Sequence, residues 1–416
     1  MSKTCRSADR PSAKRLRAGV LLAIPALLVG TACDTTGTDD AADSSISAPD
    51  SAFPDNPATG SPIKIGLINP EGGPAISMPD NRLAALAAAD YANANLGGIA
   101  GHPITLVSCA AKEDPASNQD CANQMVEQGV AAVVVTTTGN GAVMVPIITG
   151  AGIPYLTPSG TSAVELTTPG AHALSSGFPG MLSAMAAYAK DQGYTKVTAF
   201  MIDTGSVIAS TQAMGKPAFD AAGVELRIAP VTPGTPDSTP QVSAGLADGA
   251  EAVAVVGDAT MCTSVLKSMQ TLGATQDKMI IQPCLDQAVF DAVGDTLDGA
   301  YVFLGADIES DNPEAALYRT VMKRYAPGVD TGGFTSTGYQ AMLGLVRATQ
   351  GLQGEPTSAA VAAALGSAKN VPMPAADGIS FTCDGTVMPM LPAVCTDQVI
   401  RATVQDGKAT EPHVGG

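Results

Sequence analysis

From Ile63 onward the chain alternates short apolar runs with amphipathic stretches. Ile63-Lys64-Ile65-Gly66-Leu67-Ile68 has the character of a strand, and it stops at Asn69-Pro70-Glu71-Gly72-Gly73-Pro74, which breaks regular structure. Leu83, Leu86, Ala87 and Tyr91 then recur roughly along one helical face, which predicts a helix over 82–95. The alternation continues with strands over 104–107, 132–135 and 153–156 and helices over 117–128 and 142–149. A second series follows Phe178-Pro179-Gly180, with helices over 181–190, 208–221, 241–246 and 263–272. Its strands fall at 196–201, 224–229, 252–256 and 279–281. Short apolar strands alternating with helices predict parallel sheets covered on both faces, and two successive series predict two α/β domains. The last third is less regular, with helices over 313–325, 337–350 and 358–365 and strands over 379–383 and 398–404. These do not make a domain of their own, so they are expected to return and complete the first two.

Ahead of this lies a basic leader (Lys3, Arg6, Arg10, Lys14, Arg15, Arg17) and an apolar stretch over 19–30. That stretch is too short to span a bilayer comfortably and reads as the core of a secretory signal over 1–32. Small residues at Gly30, Thr31 and Ala32 suit a signal peptidase, and the following Cys33 resembles the lipobox cysteine of bacterial lipoproteins. The resemblance implies lipidation of Cys33 and a chain held at the outer face of the cytoplasmic membrane. Gly30 departs from the pattern, standing where a lipobox usually carries Leu; the alternative is ordinary cleavage with Cys33 unmodified. Residues 33–61 are rich in Asp, Ser, Thr, Ala and Pro without apolar periodicity, which predicts a flexible acidic tether. Residues 406–416 are expected to form a tail.

Composition sharpens this picture. Hydrophobic residues make up 45% of the chain while aromatics are 4% with no Trp, so the core must be built from Ala, Val, Leu, Ile and Met. The formal charge of −17, more negative still without the leader, argues against nucleic acid and against a basic patch for anionic lipid. Beyond Cys5 and Cys33 six cysteines remain; they allow fifteen connectivities. Export and short loops favour nearest-neighbour pairing of Cys109 with Cys121, Cys262 with Cys284 and Cys383 with Cys395. There is no CxxC and no Cys/His cluster with zinc spacing, so neither metal nor cofactor is expected. A lipid-anchored hydrolase is disfavoured, because His102, His172 and His413 sit in no recognisable Ser/His/Asp arrangement and neither GxSxG nor a P-loop is present.

Several segments together resemble a known family. They are IKIGLINPEGGP, AALAAADYANANLGGIAGHPITLVSCAAKEDPASNQDCANQMV, AAVVVTTTGNGAVMVPIITGAGIPYLTPSGTSAVELT and DGAYVFLGA. In order and spacing they resemble the substrate-binding lipoproteins of branched-chain amino acid (Leu/Ile/Val) ABC transporters. The resemblance implies a type I periplasmic-binding fold: two Rossmann-like lobes joined by three crossover strands, with a ligand cleft between them. The crossings are expected near 176–177, 302–303 and 377–379, giving lobes of 62–177 with 303–377 and 178–302 with 378–405. It also implies a monomeric, non-enzymatic solute-binding component whose partners are a small molecule and permease subunits. A ligand sensor of the same fold is the alternative.

Open parallel sheets bind ligands beyond the carboxyl ends of their strands, which directs attention to Thr138-Gly139-Asn140 and Ser159-Gly160-Thr161. By resemblance, Thr161 holds a ligand carboxylate with its hydroxyl and N–H, the Ser159 carbonyl accepts from an ammonium group, and Gly139 or Asn140 adds a carboxylate donor. The second lobe lacks the aromatic residues common in the family. Asp203, Ser206, Asp258 and Asp286 are the candidates there, with Phe178 as an apolar wall at the first crossing. An acid in the cleft would imply a cationic or N–H-rich ligand. Otherwise an amino acid, amide, carboxylic acid or ring compound is expected.

Overall fold

The computed structural model describes residues 46–415 except Pro74, Ala75 and Gly205; the side chain of Ser206 is likewise outside the description. The leader and Cys33 fall outside the described residues. Two large sheets organise the rest. The first is built from β1 (Ile63–Pro70), β2 (Ile104–Ala111), β3 (Val133–Val135), β4 (Tyr155–Ser159) and β5 (Ala171–Ser175). Between these strands run α1 (Pro79–Tyr91), α2 (Pro115–Gln128), α3 (Gly141–Gly150) and the short α4 (Ala163–Thr167). All pairs are parallel, in the order β2-β1-β3-β4-β5.

The second sheet follows α5 (Gly177–Asp191) and comprises β6 (Lys196–Ile202), β7 (Glu225–Val231), β8 (Ala252–Val256), β9 (Asp277–Ile281) and β10 (Tyr301–Leu304). Its helices are α6 (Ser206–Ser210), α7 (Lys216–Ala222), α8 (Thr239–Leu246), α9 (Ala259–Thr271) and α10 (Gln287–Val293). These strands are again parallel and ordered β7-β6-β8-β9-β10, the same arrangement as the first sheet. Two doubly wound units therefore follow one another, as the alternating pattern predicts. Their central strands Val133–Val135 and Ala252–Val256 are buried at every position, which is why they read as unbroken apolar runs.

After β10 come α11 (Pro313–Tyr325), α12 (Ser336–Ala348), α13 (Ser358–Gly366) and a small hairpin of β11 (Val371–Pro372) with β12 (Ser380–Phe381). The helices return to the first unit, where α12 and α11 pack on α1. The approach is so close that a Cβ on Gly338 would lie 1.8 Å from the Asn81 carbonyl oxygen. Last come β13 (Val399–Gln405) and β14 (Lys408–Gly415), which extend the second sheet antiparallel beyond β10.

The chain passes between the lobes three times. It leaves the carboxyl end of β5 through Ser176 into α5, and the carboxyl end of β10 through 305–312 into α11. In the second passage the Asp307 N–H donates to the Ala375 carbonyl at 2.7 Å, and Gln340 Nε2 to that of Gly305 at 2.9 Å. The third passage differs from expectation. Val394 pairs with Ala173 of β5, with N–H···O bonds of 2.8 Å from Ala173 to Ala393 and from Cys395 to Ala173, so the chain stays on the first sheet until 396–398. An open β5 edge offers unpaired backbone groups, and this segment satisfies those of Ala173. It then enters β13 beside the carboxyl end of β10, where Ile400 faces Leu304. All three passages lie on the carboxyl-end side of both sheets, which turns those two edges toward each other.

Two segments differ from the sequence reading. Residues 46–61 are packed rather than a free tether. Phe53 lies 5.3 Å from the Tyr91 ring and under the Arg324 guanidinium at 3.9 Å. Tyr91 donates to the Ala52 carbonyl at 2.7 Å, and Asn95 to that of Pro54 at 3.0 Å. One aromatic anchor and backbone acceptors suffice to hold a polar stretch that has no periodicity. Residues 408–415 are an edge strand rather than a tail, held by backbone pairing with β13. The three disulfides join nearest neighbours: Cys109–Cys121, Cys262–Cys284 and Cys383–Cys395. Among the described residues no helix is long and apolar enough to cross a membrane.

Candidate functional site

The strand order reverses between β1 and β3, and the loops at their carboxyl ends open into the crevice that such a reversal creates. Asn69, fully buried at the end of β1, accepts from the Thr136 hydroxyl after β3. Its amide donates to Glu71 Oε1 at 3.0 Å and to the Met78 carbonyl at 2.8 Å. Glu71 is in turn paired with Arg82 Nε at 2.7 Å. The β1–β3 junction is thus a fixed polar floor.

Glu113, in the turn after β2, reaches across to the loop after β3. Its carboxylate accepts from the Thr138 hydroxyl at 2.9 Å, the Gly139 N–H at 2.9 Å and the Asn140 side-chain amide at 3.3 Å. The Glu113 backbone has φ of 57°, a left-handed conformation unusual for a residue with a Cβ. Three hydrogen bonds to one carboxylate offset that strain.

A second carboxylate, Glu165, occupies the loop after β4. Its Oε2 accepts from the Thr161 N–H at 3.1 Å, the Ser162 N–H at 3.0 Å and the Ser162 hydroxyl at 2.9 Å. The Thr161 hydroxyl lies 2.9 Å from the Thr138 carbonyl and 3.2 Å from Oε2, so its single proton serves these two acceptors. Tyr155 donates to Oε1 at 2.8 Å; burial, reinforced by the neighbouring Glu165, holds its phenol well above the ordinary value. Glu165 is 1% exposed and also completes the capping box of α4 with Ser162. It abuts the amino end of α3 so closely that a Cβ on Gly141 would lie 2.0 Å from its carboxyl carbon.

The structure brings together Thr138, Gly139, Asn140 and Thr161, the first-lobe residues singled out from the sequence. Gly160 is buried against Leu166, and Ser159 lies against the crossing at Gly177. The donors of Thr138, Gly139, Asn140 and Thr161, however, are turned on the protein's own carboxylates. Sequence reasoning missed both Glu113 and Glu165. Ser162-x-x-Glu165 is a legible capping signature; Glu113 has no motif at all.

On the second lobe, Asp258 caps α9 through the Met261 N–H at 2.8 Å, and Asp286 caps α10 through the Ala288 N–H at 2.8 Å. Both are exposed, as is Asp203 after β6. Ser206 begins α6, and Phe178 is half-buried on α5. Two cavities, of about 190 and 100 Å³, lie elsewhere, the larger between α5 and the β13–β14 hairpin and the smaller beside Asp307 and Asp377. Neither is lined by 138–140 or 159–161. Among the described residues, His172, Cys383 and Cys395 bring potential metal-ligand atoms within 4.8 Å of one another. Their sulfurs are joined as a disulfide and offer no thiolate.

A family model described as periplasmic binding protein matches residues 62–395. The chain belongs to this family. Its members bind solutes outside the cytoplasm rather than turn them over, and this periplasmic binding protein has the corresponding two-lobed architecture. Solved structures agree in fold. A possible leucine/isoleucine/valine-binding protein from Rhodopirellula baltica is 18% identical with a TM-score of 0.68, covering 87% of this chain and 98% of the other. An ABC transporter substrate-binding protein from Sphaerobacter thermophilus is 20% identical with a TM-score of 0.71, covering 85% and 98%. The branched-chain amino acid transporter substrate-binding protein of Streptococcus pneumoniae, in complex with isoleucine, is 18% identical with a TM-score of 0.64, covering 85% and 99%. No curated protein matches.

Proposed function

We propose that this periplasmic binding protein is the solute-capturing component of an ABC importer. It closes its two lobes over a small molecule and delivers it to permease subunits. Closure of this kind needs a few chain segments that bend while two rigid bodies stay intact. The observation that carries the reading is the placement of all three lobe passages at the carboxyl ends of both sheets. Strand ends of two doubly wound units then face each other across short connections. Lipidation of Cys33 would keep the binder near its permease.

A ligand that binds only the folded state raises the melting temperature by mass action. Thermal-shift screening of amino acids, amides, organic acids and ring compounds, followed by small-angle scattering of each hit, tests the reading. We expect a hit to raise the melting temperature and shrink the radius of gyration. Hits that leave the radius of gyration unchanged would rule out capture by closure.

A further inference from the structure

The capture role leaves the chemistry of the solute open, and the cleft loops narrow it. We propose that the solute is an organic cation without a free carboxylate, such as an amine, amidine or guanidine, and that Glu113 is its charge partner. The inference rests on the capture reading above.

The seats for a ligand carboxylate are already taken. The Gly139 N–H, Thr138 hydroxyl and Asn140 amide donate to Glu113, while the Thr161 and Ser162 N–H groups donate to Glu165. Glu165 also fills the amino end of α3, where the helix dipole would otherwise favour a bound anion. An incoming carboxylate would meet spent donors and two fixed negative charges.

The two carboxylates differ in reach. Glu165 is sealed, whereas Glu113 is only half-buried at the rim. Glu71 nearby is balanced by Arg82, but among the described residues Glu113 forms no ion pair, and its hydrogen-bond partners are neutral. Its charge is left for something outside the chain to balance.

The opposite wall carries the same sign. Asp203 and Asp258, both exposed, follow the ends of β6 and β8, and the chain has no Lys or Arg between Arg227 and Lys267. A crevice lined by one sign of charge concentrates counter-ions of the other. The acids after the second-lobe strands and the unpaired Glu113 therefore favour the same class of solute.

The test uses the mature protein and pairs of probes that differ by one carboxylate: leucinamide against leucine, agmatine against arginine, and cadaverine against lysine. Isovaleramide and isovalerate serve as neutral and anionic references. We expect the amines lacking a carboxylate to raise the melting temperature, and calorimetry to show their partners binding at least tenfold more weakly. Added salt should weaken the cations. Glu113→Gln should weaken the best of them at least tenfold, while Glu113→Asp retains more affinity and Glu127→Gln, an equal charge change on the exposed face of α2, leaves it unchanged. A preference for the carboxylate-bearing members, no binding by any cation, or an unaltered affinity in Glu113→Gln overturns the proposal. A carboxylate ligand that contracts the particle in scattering defeats this inference and leaves capture standing; cation binding without contraction supports the charge assignment and defeats capture.

Discussion

At the scale of single residues the decisive feature is that one carboxylate can saturate a loop. Glu165 gathers Tyr155, Thr161 and Ser162, and each of these donors would be left buried or half-buried without it. The absence of a side chain at Gly141 is what admits it, since any Cβ there would overlap the carboxyl group. Gly141→Ala should therefore destabilise the protein by about 1–3 kcal/mol, the usual range for forcing extra atoms into a packed site. Urea denaturation of the single variants and of Gly141→Ala/Glu165→Ala checks this. Because the two residues share one space, the double variant should cost less than the sum of the singles by about 1 kcal/mol. Simple additivity would mean that the contact is not the cause. The capping box was readable in Ser162 and Glu165; that the same carboxylate also occupies the Thr161 donors was not, because that depends on how the loop after β4 folds back.

Among the elements, those with strong periodicity were legible and those held by backbone pairing or a single anchor were not. Helix α11 (Pro313–Tyr325) and strand β8 (Ala252–Val256) lie where the pattern puts them, since each buries a full apolar face or run. Strand β14 reads Lys408-Ala409-Thr410-Glu411-Pro412-His413-Val414-Gly415, with no alternation to betray it. Its order comes from pairing with β13. The segment before β1 behaves likewise: Phe53 is one ring in a polar stretch, yet it packs on Tyr91 beneath Arg324. Phe53→Ala should lower stability by about 1–2 kcal/mol, from lost apolar burial and ring contacts. Chemical denaturation measures the loss, and limited proteolysis should cut first within 46–61. Unchanged proteolysis would mean that this segment is held by its backbone bonds alone.

For the whole molecule, the covering of β5 by 393–395 buries His172 next to the Cys383–Cys395 disulfide. Burial lowers the imidazole pKa from 6.5 to about 4. The unfolded chain therefore takes up a proton below pH 6.5 while the folded chain remains neutral until about pH 4. Stability contributed by neutral burial is fully present above pH 6.5 and falls as the pH drops toward about 4, by roughly 3 kcal/mol in all. In urea melts at pH 7 and pH 4.5, His172→Gln should lose less stability on acidification than the wild type. An equal loss in both proteins would assign the acid sensitivity to other groups.

By itself the sequence determined the class of fold: burying a parallel sheet on both faces requires apolar runs and helical periods, and these are local properties of the chain. It also determined the acidic character of the molecule and the nearest-neighbour cysteine pairs, whose short loops close at small entropic cost. Only the tertiary structure decided what faces the cleft. Glu113 meets Thr138 across 25 residues of chain because β2 and β3 both flank β1. Hydrogen bonds and charges act over a few ångströms in space and have no counterpart in sequence spacing. The loops that looked like seats for an anion therefore already hold one.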